Sequence, residues 1–417
     1  MEATKYKDSG IPWIGEIPSD WEVNKINQLF SIIGSGTTPK ATNDSNFVGK
    51  INWIQLGDIN GGFIVDCKNK IAEQVLSQYS ALKLYKQPFI IVAMYGASVG
   101  NISISKIDGC VNQACCVMGK SNQCFEFLFY AIKSAKDYLI YRAEGGGQPN
   151  ISQDKLKNLR IPLPPLPIQQ RIADFLDRKC AEIDELAALQ ETMIEELKRY
   201  KQSLITETVT KGLNKNAKMK DSGVEWIGEI PERWEVKRLK FVANRRNEKA
   251  DDTKLKYIGL EHIVGFSKEM VETENVYDNE GANMCYARDV IFGKLRPYLG
   301  KAKVIEDACC CSSEFIVLCN VHCPDYLRYL LLSGWFIEIV NASTYGTKMP
   351  RANADFIMNM LIPVPHTNEQ QQIADYLDRK CAEIDELIVI KQQKIEALKE
   401  YKKSVIFEYV TGKKEVV

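Results

Sequence analysis

Side chains that can form hydrogen bonds with DNA bases gather on Gly- and Asn-rich loops in two stretches of this 417-residue chain. Arg and Lys can donate to guanine, while Asn and Gln can form paired hydrogen bonds with adenine. For any one of these residues, a role in a turn or on a solvated surface is at least as good an interpretation. The DNA-binding candidates in the first stretch are Gln55, Asp58, Asn60, Tyr95, Ser98, Asn101, Asn112, Gln113, Gln148, Asn150 and Ser152. Those in the second stretch are Glu261, His262, Lys294, Arg296, Tyr298, Lys301, Ser313, Lys348 and Arg351.

Catalytic residues are not recognisable in the sequence. The G-x4-G-K-[ST] phosphate loop does not occur, and residues 34–40 (GSGTTPK) have the wrong spacing for it. A nuclease would need an Asp followed by Glu-x-Lys to hold a divalent ion, and Asp221 with Glu235 and Lys237 fits this pattern loosely. We therefore predict a chain with no catalytic residues and no cofactor of its own, with a nuclease that uses these three residues as an alternative.

The thirteen cysteines and three histidines do not have the spacing of a metal site. Cys309, Cys310 and Cys311 are consecutive, so on a strand their side chains would alternate between two faces. Zinc sites normally offer paired ligands at short spacings that recur further along the chain. We predict no metal site, and cysteines that are mostly reduced and buried.

Composition and charge suit a globular protein of two or three domains, since 45% of the residues are hydrophobic and 26% are charged. No run of about 18 apolar residues and no secretory signal occurs, so we expect a cytoplasmic protein. Basic and acidic side chains balance at 54 each, which does not by itself indicate a nucleic-acid binder. Residues 27–160 nevertheless carry 14 basic and nine acidic side chains.

Two motifs occur twice. DSGIPWIGEIP (8–18) returns as DSGVEWIGEIP (221–231) with nine of eleven positions identical, and IADFLDRKCAEIDEL (172–186) returns at 373–387 with 14 of 15 identical. The chain therefore consists of two tandem halves, each with a shared opening, a divergent middle and a shared end. We predict a first globular domain at 1–160 (opening 5–26, middle 27–160) and a second at 213–361 (opening 218–239, middle 240–361). Long helices are predicted at 161–212 and 362–413.

Apolar residues spaced alternately four and three apart predict that both shared ends are coiled-coil helices of about 60 Å. The predicted seam, which could also dock partner helices, comprises Ile172, Leu176, Ile183, Leu186, Leu197, Ile373, Leu377, Ile384, Leu387 and Leu398. We expect the two helices to pack against each other antiparallel. The middles read as mixed sheet and helix, with strands near 51–56, 89–94, 111–118, 255–260, 290–292 and 315–318, and helices near 125–141 and 326–340.

The order of these motifs resembles the DNA specificity subunit of type I restriction–modification systems. The resemblance rests on GSGTTPK, INWIQLGDI (51–59), GGGQPNISQDKLKNLRIPLPPLPIQQ (145–170), the repeated helix and SLITETVTKG (203–212). The second half departs from it at GTKMPRAN (346–353), which lacks Gln-Pro-Asn-Ile. The resemblance implies an α+β fold in which two globular mixed α/β target-recognition domains are separated by two long antiparallel coiled-coil helices, in a pseudo-twofold tandem repeat.

The same resemblance implies function and partners. Each middle would read one half of a bipartite, asymmetric site in double-stranded DNA, and the helices would set the spacing and dock two methyltransferase subunits. S-adenosylmethionine, ATP and Mg²⁺ would belong to partners, which could include two restriction–translocase subunits in a prokaryotic cytoplasm. A stand-alone bipartite DNA-binding regulator without enzyme partners is the alternative from a different class.

Overall fold

The computed structural model describes residues 5–40, 44–143, 150–250, 255–271 and 281–416. The chain forms two compact units. The first comprises Met1–Leu189 with Lys394–Val417, and the second comprises Gln190–Gln393. Each unit thus combines one divergent middle with a part of each long helix, and the serial domain boundaries given above stay a prediction.

The first unit is built around a five-stranded sheet. The strands of this unit are β1 (Tyr6–Asp8), β2 (Glu16–Pro18), β3 (Glu22–Lys25), β4 (Ile32–Gly34), β5 (Ile51–Ile54), β6 (Phe63–Ile64), β7 (Lys70–Ile71), β8 (Phe89–Ala93), β9 (Ile102–Ser105), β10 (Gly109–Val111), β11 (Cys115–Gly119) and β12 (Arg160–Leu163). Its short helices are α1 (Ile26–Leu29), α2 (Glu73–Gln78), α3 (Phe125–Ser134), α4 (Lys136–Tyr141) and α5 (Gln153–Lys157). The main sheet has the order β4-β11-β8-β9-β6, and β10-β5-β7 form a smaller one.

A long helix, α6 (Leu166–Lys211), follows, and the second unit then repeats this plan. Its strands are β13 (Met219–Asp221), β14 (Glu229–Pro231), β15 (Glu235–Arg238), β16 (Asn244–Arg246), β17 (Tyr257–Ile258), β18 (Asn283–Cys285), β19 (Val290–Gly293), β20 (Ala302–Val304), β21 (Cys309–Cys311), β22 (Phe315–Cys319) and β23 (Leu361–Val364). Its short helices are α7 (Pro324–Leu331), α8 (Gly334–Ala342) and α9 (Ala354–Asn359). The second long helix, α10 (Thr367–Val410), follows, and the two units share it. The main-sheet order β16-β22-β19-β20 repeats β4-β11-β8-β9, and the parallel pair β17-β21 repeats β5-β10, which confirms the tandem repeat and the α+β class. The smaller sheets differ in their third strand, because β18 pairs with β21 whereas β7 pairs with β5.

The central strand of each main sheet is covered on both faces. In β8, Ile90 and Val92 belong to the cluster that includes α3 and the long helices, while Phe89 and Ile91 face the smaller sheet. This division follows from the two-residue period of a strand, which sends alternate side chains to opposite faces. Because both faces are buried, the polar residues that follow β8 and β19 are held by a rigid layer.

The predicted long helices are confirmed, with each ending at a glycine of positive φ (Gly212 at 75° and Gly412 at 69°). In the first unit, Asp184 accepts hydrogen bonds from Lys402 at 2.7 and 2.6 Å. In the second unit, Lys201 makes the equivalent pair with Asp385. Phe175 also packs against Tyr409 in the first unit, and Glu369 lies beside Gly212 in the second. In each unit an earlier residue of α6 thus contacts a later part of α10, so the paired helix segments run antiparallel.

Burial along the helices corrects part of the predicted seam. Ile172, Leu176, Ile183, Ile373, Leu377 and Ile384 are buried, and Leu197 and Leu398 are half-buried. Leu186 and Leu387, however, are 46% and 45% exposed, so they lie outside the buried seam. The buried line passes instead through Cys180 and Ile194, each one residue after a position (179 or 193) of the seven-residue repeat that starts at Ile172. Two turns of an α-helix take about 7.2 residues, so the buried positions drift relative to a seven-residue repeat.

Three predicted elements are divided in the structure. The strand predicted at 111–118 becomes β10 and β11, since residues 112–114 turn between two sheets. The helix predicted at 125–141 breaks at Ala135. The helix predicted at 326–340 breaks at Ser333, whose hydroxyl donates to the Leu330 carbonyl. Sequence periodicity continued across these short interruptions and did not reveal them.

Candidate nucleic-acid interface

In the second unit, three segments meet at the end of β19. The Lys294 N–H donates to the Glu314 carbonyl at 2.8 Å, and the Lys294 carbonyl accepts from the Ala352 N–H at 2.9 Å. Leu295 and Arg351 form an isolated β-bridge beside these bonds. The backbone therefore fixes Lys294, the turn at 312–314 and the segment at 345–351 relative to one another.

A bidentate ion pair joins two of these segments. Arg351 Nε donates to Glu314 Oε2 at 2.9 Å, and Arg351 Nη2 donates to Glu314 Oε1. Burial lowers the pKa of Lys294, and the nearby charges of Arg245, Arg351 and Lys249 lower it further against the opposing effect of Glu314. The site thus concentrates positive charge around a single oriented carboxylate.

The first unit has the same backbone frame with different side chains. The Met94 N–H donates to the Ala114 carbonyl at 2.8 Å, the Ile151 N–H donates to the Met94 carbonyl at 2.9 Å, and Tyr95 forms a bridge with Asn150. The first frame therefore carries the amide side chains of Asn112, Gln113 and Asn150, whereas the second carries the Arg351 guanidinium and the Lys294 ammonium. Two of them have partners: Asn112 Oδ1 accepts from the Ala114 N–H, and Gln113 Oε1 accepts from Thr38.

Two candidates hold the turns on which they lie. Asp58 Oδ2 accepts from the Gln55 N–H at 2.8 Å, and His262 Nδ1 accepts from the Gly259 N–H at the same distance. Both residues occupy the third position of a short 3₁₀ turn after the first strand of the smaller sheet. A carboxylate and an imidazole therefore close the same turn in the two units.

Other candidates also have partners within the protein. Asn60 Oδ1 accepts from the Gly62 N–H, Asn101 Oδ1 accepts from Lys136, and Ser152 caps α5 by accepting from the Lys155 N–H. The exposed candidates are Asn60, Tyr95, Gln113, Asn150, Ser152, Glu261, Arg296, Tyr298, Ser313 and Lys348. The half-buried ones are Gln55, Asp58, Ser98, Asn101, Asn112, Lys294, Lys301 and Arg351, whereas His262 is buried and Gln148 lies outside the described residues. That any of these residues contacts a base stays a prediction.

The family of the chain is established by comparison with known proteins. Residues 18–199 and 231–400 match the family described as the type I restriction modification DNA specificity domain. The chain belongs to this family. The resemblance identified from its sequence motifs is confirmed. The role of this family is sequence specificity toward DNA.

Relatives and solved structures extend over nearly the whole chain. The type I restriction enzyme MjaVIII specificity subunit of Methanocaldococcus jannaschii is 26% identical, over 95% of this chain and 93% of that protein. The EcoDI specificity subunit of Escherichia coli is 19% identical, over 89% and 83%. A chain from a structure of a type I R–M system has a TM-score of 0.70 at 18% identity, covering 95% of this chain and 99% of that one. The HsdS subunit of Thermoanaerobacter tengcongensis has a TM-score of 0.53 at 18% identity, covering 95% and 98%.

Two lysines of this family member hold loops through hydrogen bonds to backbone carbonyls. Lys133 was not among the residues singled out from the sequence, and Lys301 was singled out only as a DNA-binding candidate. Lys133 Nζ donates to the Gly61 carbonyl at 2.8 Å, and burial lowers the pKa of Lys133 to about 8. Lys301, one of the DNA-binding candidates, donates to the Leu260 carbonyl at 2.6 Å, and its contact with DNA stays a prediction. Each lysine holds a loop of the smaller sheet, and no sequence signal separates such a lysine from a surface one.

All thirteen cysteines are unpaired and buried, as predicted. Among the described residues, no three His, Cys, Asp or Glu side chains are grouped so that they could hold a metal ion. Of the three residues considered for a nuclease, Asp221 accepts a hydrogen bond from the Gly223 N–H, and Glu235 forms an ion pair with Lys237. Across the described part of the chain, no helix combines the length and apolarity needed to cross a membrane.

Proposed function

We propose that this chain is the DNA-reading subunit of a type I restriction–modification complex, with each unit reading one half of a bipartite site. The observation that carries the proposal is the repeated frame at the ends of β8 and β19. The same backbone bonds hold Met94, Ala114 and Asn150 in one unit and Lys294, Glu314 and Arg351 in the other. Different side chains on one frame suit two readers of different base sequences.

Bond-making belongs to partner subunits in this proposal. Two methyltransferase subunits would supply S-adenosylmethionine and flip the target adenine out of the duplex for N6 methylation. Two restriction–translocase subunits with ATP and Mg²⁺ would complete a restriction complex. The chain itself contributes recognition, spacing and docking.

The long helices offer equivalent exposed apolar residues for docking. Leu186 in the first unit and Leu387 in the second are separated by the 201-residue offset of the repeat, and both are exposed. Leu189 and Ile390 form a second such pair. Two copies of one methyltransferase subunit would meet the same chemistry twice, which supports a complex with two of them.

The helices would also set the distance between the half-sites. Two readers that face the same side of a duplex have centres about one helical turn, or ~10 bp, apart, and the bases between them are not read. Insertion or deletion of residues between Lys198 and Gly212 should therefore change the tolerated number of intervening bases. Methylation patterns report that number directly.

Mapping of methylated adenines tests the proposal. In cells that carry the gene we expect one bipartite motif that disappears when the gene is deleted. Replacement of residues 27–160 by the corresponding part of another family member should change one half of the motif, and the matched replacement of residues 240–361 should change the other. A change in both halves from one replacement would refute modular reading. If a DNA-binding chain retained no methyltransferase on purification, it would be a stand-alone regulator.

A further inference from the structure

We propose that Arg351, oriented by Glu314, reads a guanine in the half-site bound by the second unit. The inference rests on the proposed function and adds a named side chain and a named base. It is carried by the geometry of the ion pair, by the charges around it and by the equivalent position in the first unit.

The ion pair leaves the other edge of the guanidinium facing away from the carboxylate. Glu314 takes one hydrogen from Nε and one from Nη2 of Arg351. A guanidinium has five N–H donors in a planar fork, so three donors remain on Nη1 and on the outer side of Nη2. Arg351 also interacts with the Tyr345 hydroxyl, which can take one of these three and leaves two. Two such donors match the O6 and N7 acceptors of guanine. The Arg351 side chain is 43% exposed, so it is not enclosed by the ion pair with Glu314.

Charges around the pair favour a polyanion. Arg245, Lys249 and Lys294 all act on the same site, while Glu314 is the carboxylate that opposes them there. Asp355 lies 3.4 Å from Arg245, and Lys249 is bonded to neutral partners, the Gly281 carbonyl and Asn283. Among the residues that the structure describes, positive charge therefore remains in excess around Arg351, where DNA phosphates would compensate it.

The first unit supports the position as a reading position. Arg351 and Asn150 each form the β-bridge to the residue after the frame, Leu295 and Tyr95 respectively. Both side chains are at least partly open to solvent. An Asn at this position has the hydrogen-bonding pattern for adenine, whereas an Arg has the pattern for guanine.

A purely structural role for the pair makes a different prediction. If Arg351 only fastens residues 345–351 to the turn at 312–314, its loss would weaken binding without altering base preference. A reading role requires the preference at one base pair to change. The deciding measurement is therefore the sequence preference, and affinity alone is not sufficient.

The test is selection of bound duplexes from a randomised DNA pool by the full chain, purified with the subunits that it retains. The wild-type chain should select a bipartite consensus; if it selects none, the proposed function fails before this inference is reached. For Arg351→Ala we expect the preference for one guanine in one half to fall by about 5- to 150-fold, with the other half unchanged. An unchanged consensus with lower affinity would overturn the inference.

Two further variants keep the test decisive if Arg351→Ala does not fold. Arg351→Lys keeps the charge but cannot serve the carboxylate and a base edge together, so the guanine preference should weaken. Glu314→Gln should weaken the same position and no other. Asn150→Ala is the matched variant and should alter only the opposite half, whereas Arg245→Ala should lower affinity for all sequences equally. An unaltered guanine preference in both Arg351→Lys and Glu314→Gln would refute the reading role.

Discussion

The paired lysine and aspartate of the second unit predict an asymmetric cost of mutation. The Lys201 side chain is only 9% exposed, whereas its partner Asp385 is 43% exposed. Removal of the aspartate leaves an ammonium almost buried without a counter-charge. Removal of the lysine leaves a carboxylate that water can still reach. The two substitutions therefore remove the same ion pair with unequal consequences.

The magnitudes follow from these exposures. A buried charge left without its partner costs about 3–5 kcal/mol, and the residual exposure of Lys201 moves the expected cost of Asp385→Asn to about 2–3 kcal/mol. For Lys201→Met the apolar stem is kept and Asp385 is resolvated, so we expect a cost of about 1 kcal/mol or less. The double variant should be more stable than Asp385→Asn alone, because it no longer contains the unpaired ammonium.

Hydrogen exchange of the full chain measures this difference locally. Amides near Lys201 in α6 and near Asp385 in α10 should exchange faster in Asp385→Asn than in Lys201→Met. Asp184→Asn is the matched control, since Lys402 is more exposed at 21% and should tolerate the loss better. Equal effects of Asp385→Asn and Lys201→Met, or a larger effect of the lysine substitution, would refute the argument from burial.

Three further outcomes follow from single sites. Lys133 has a folded pKa of about 8, below its value in an unfolded chain, so its contribution to the stability of the first unit should rise as the pH increases from 8 toward 10. Burial raises the pKa of Cys115 and Cys116, which therefore contribute in the opposite direction in the wild type and in Lys133→Met alike. The measured quantity is the unfolding free energy of the wild-type chain minus that of Lys133→Met, by chemical denaturation at both pH values, and this difference should increase with pH. Gly412→Ala should destabilise by more than the ~1–2 kcal/mol typical of a non-glycine residue at positive φ, since its Cβ would lie 2.4 Å from Pro18 Cδ. Gly212→Ala, where the nearest atom is 3.1 Å away, should cost less in the same assay. Leu186→Glu and Leu387→Glu should each leave the melting temperature unchanged and reduce the methyltransferase retained on purification.

The repeat and the long helices were predictable because their signals are local and redundant. Nearly identical blocks at 172–186 and 373–387 indicated the tandem plan, and apolar residues spaced alternately four and three apart indicated both helices. The seam was predicted within one residue. Its phase depends on which of two adjacent apolar positions, such as Leu186 or Ala187, faces the other helix, and spacing alone does not decide that.

The chemistry of the candidate interface was less predictable. Arg351 was identified as a candidate, but its partner Glu314 is 37 residues away, and only the fold brings the two together. Likewise, Asp58 and His262 looked like accessible polar residues although each closes a turn. A polar residue on a loop has the same sequence signature whether it serves the loop or a ligand.

The shared openings have a physical reason to stay alike while the middles diverge. In the first unit, Trp21 and Pro18 of the first opening pack around Gly412 at the end of α10. In the second unit, Trp234 of the second opening packs against Gly212 at the end of α6, and its indole N–H donates to Glu369 at 2.9 Å. Each opening thus receives the helix end of the opposite repeat. A change in one opening would disturb a junction made by both repeats, whereas a change in a middle lies within its own unit. The exchange of readers that we propose requires this arrangement.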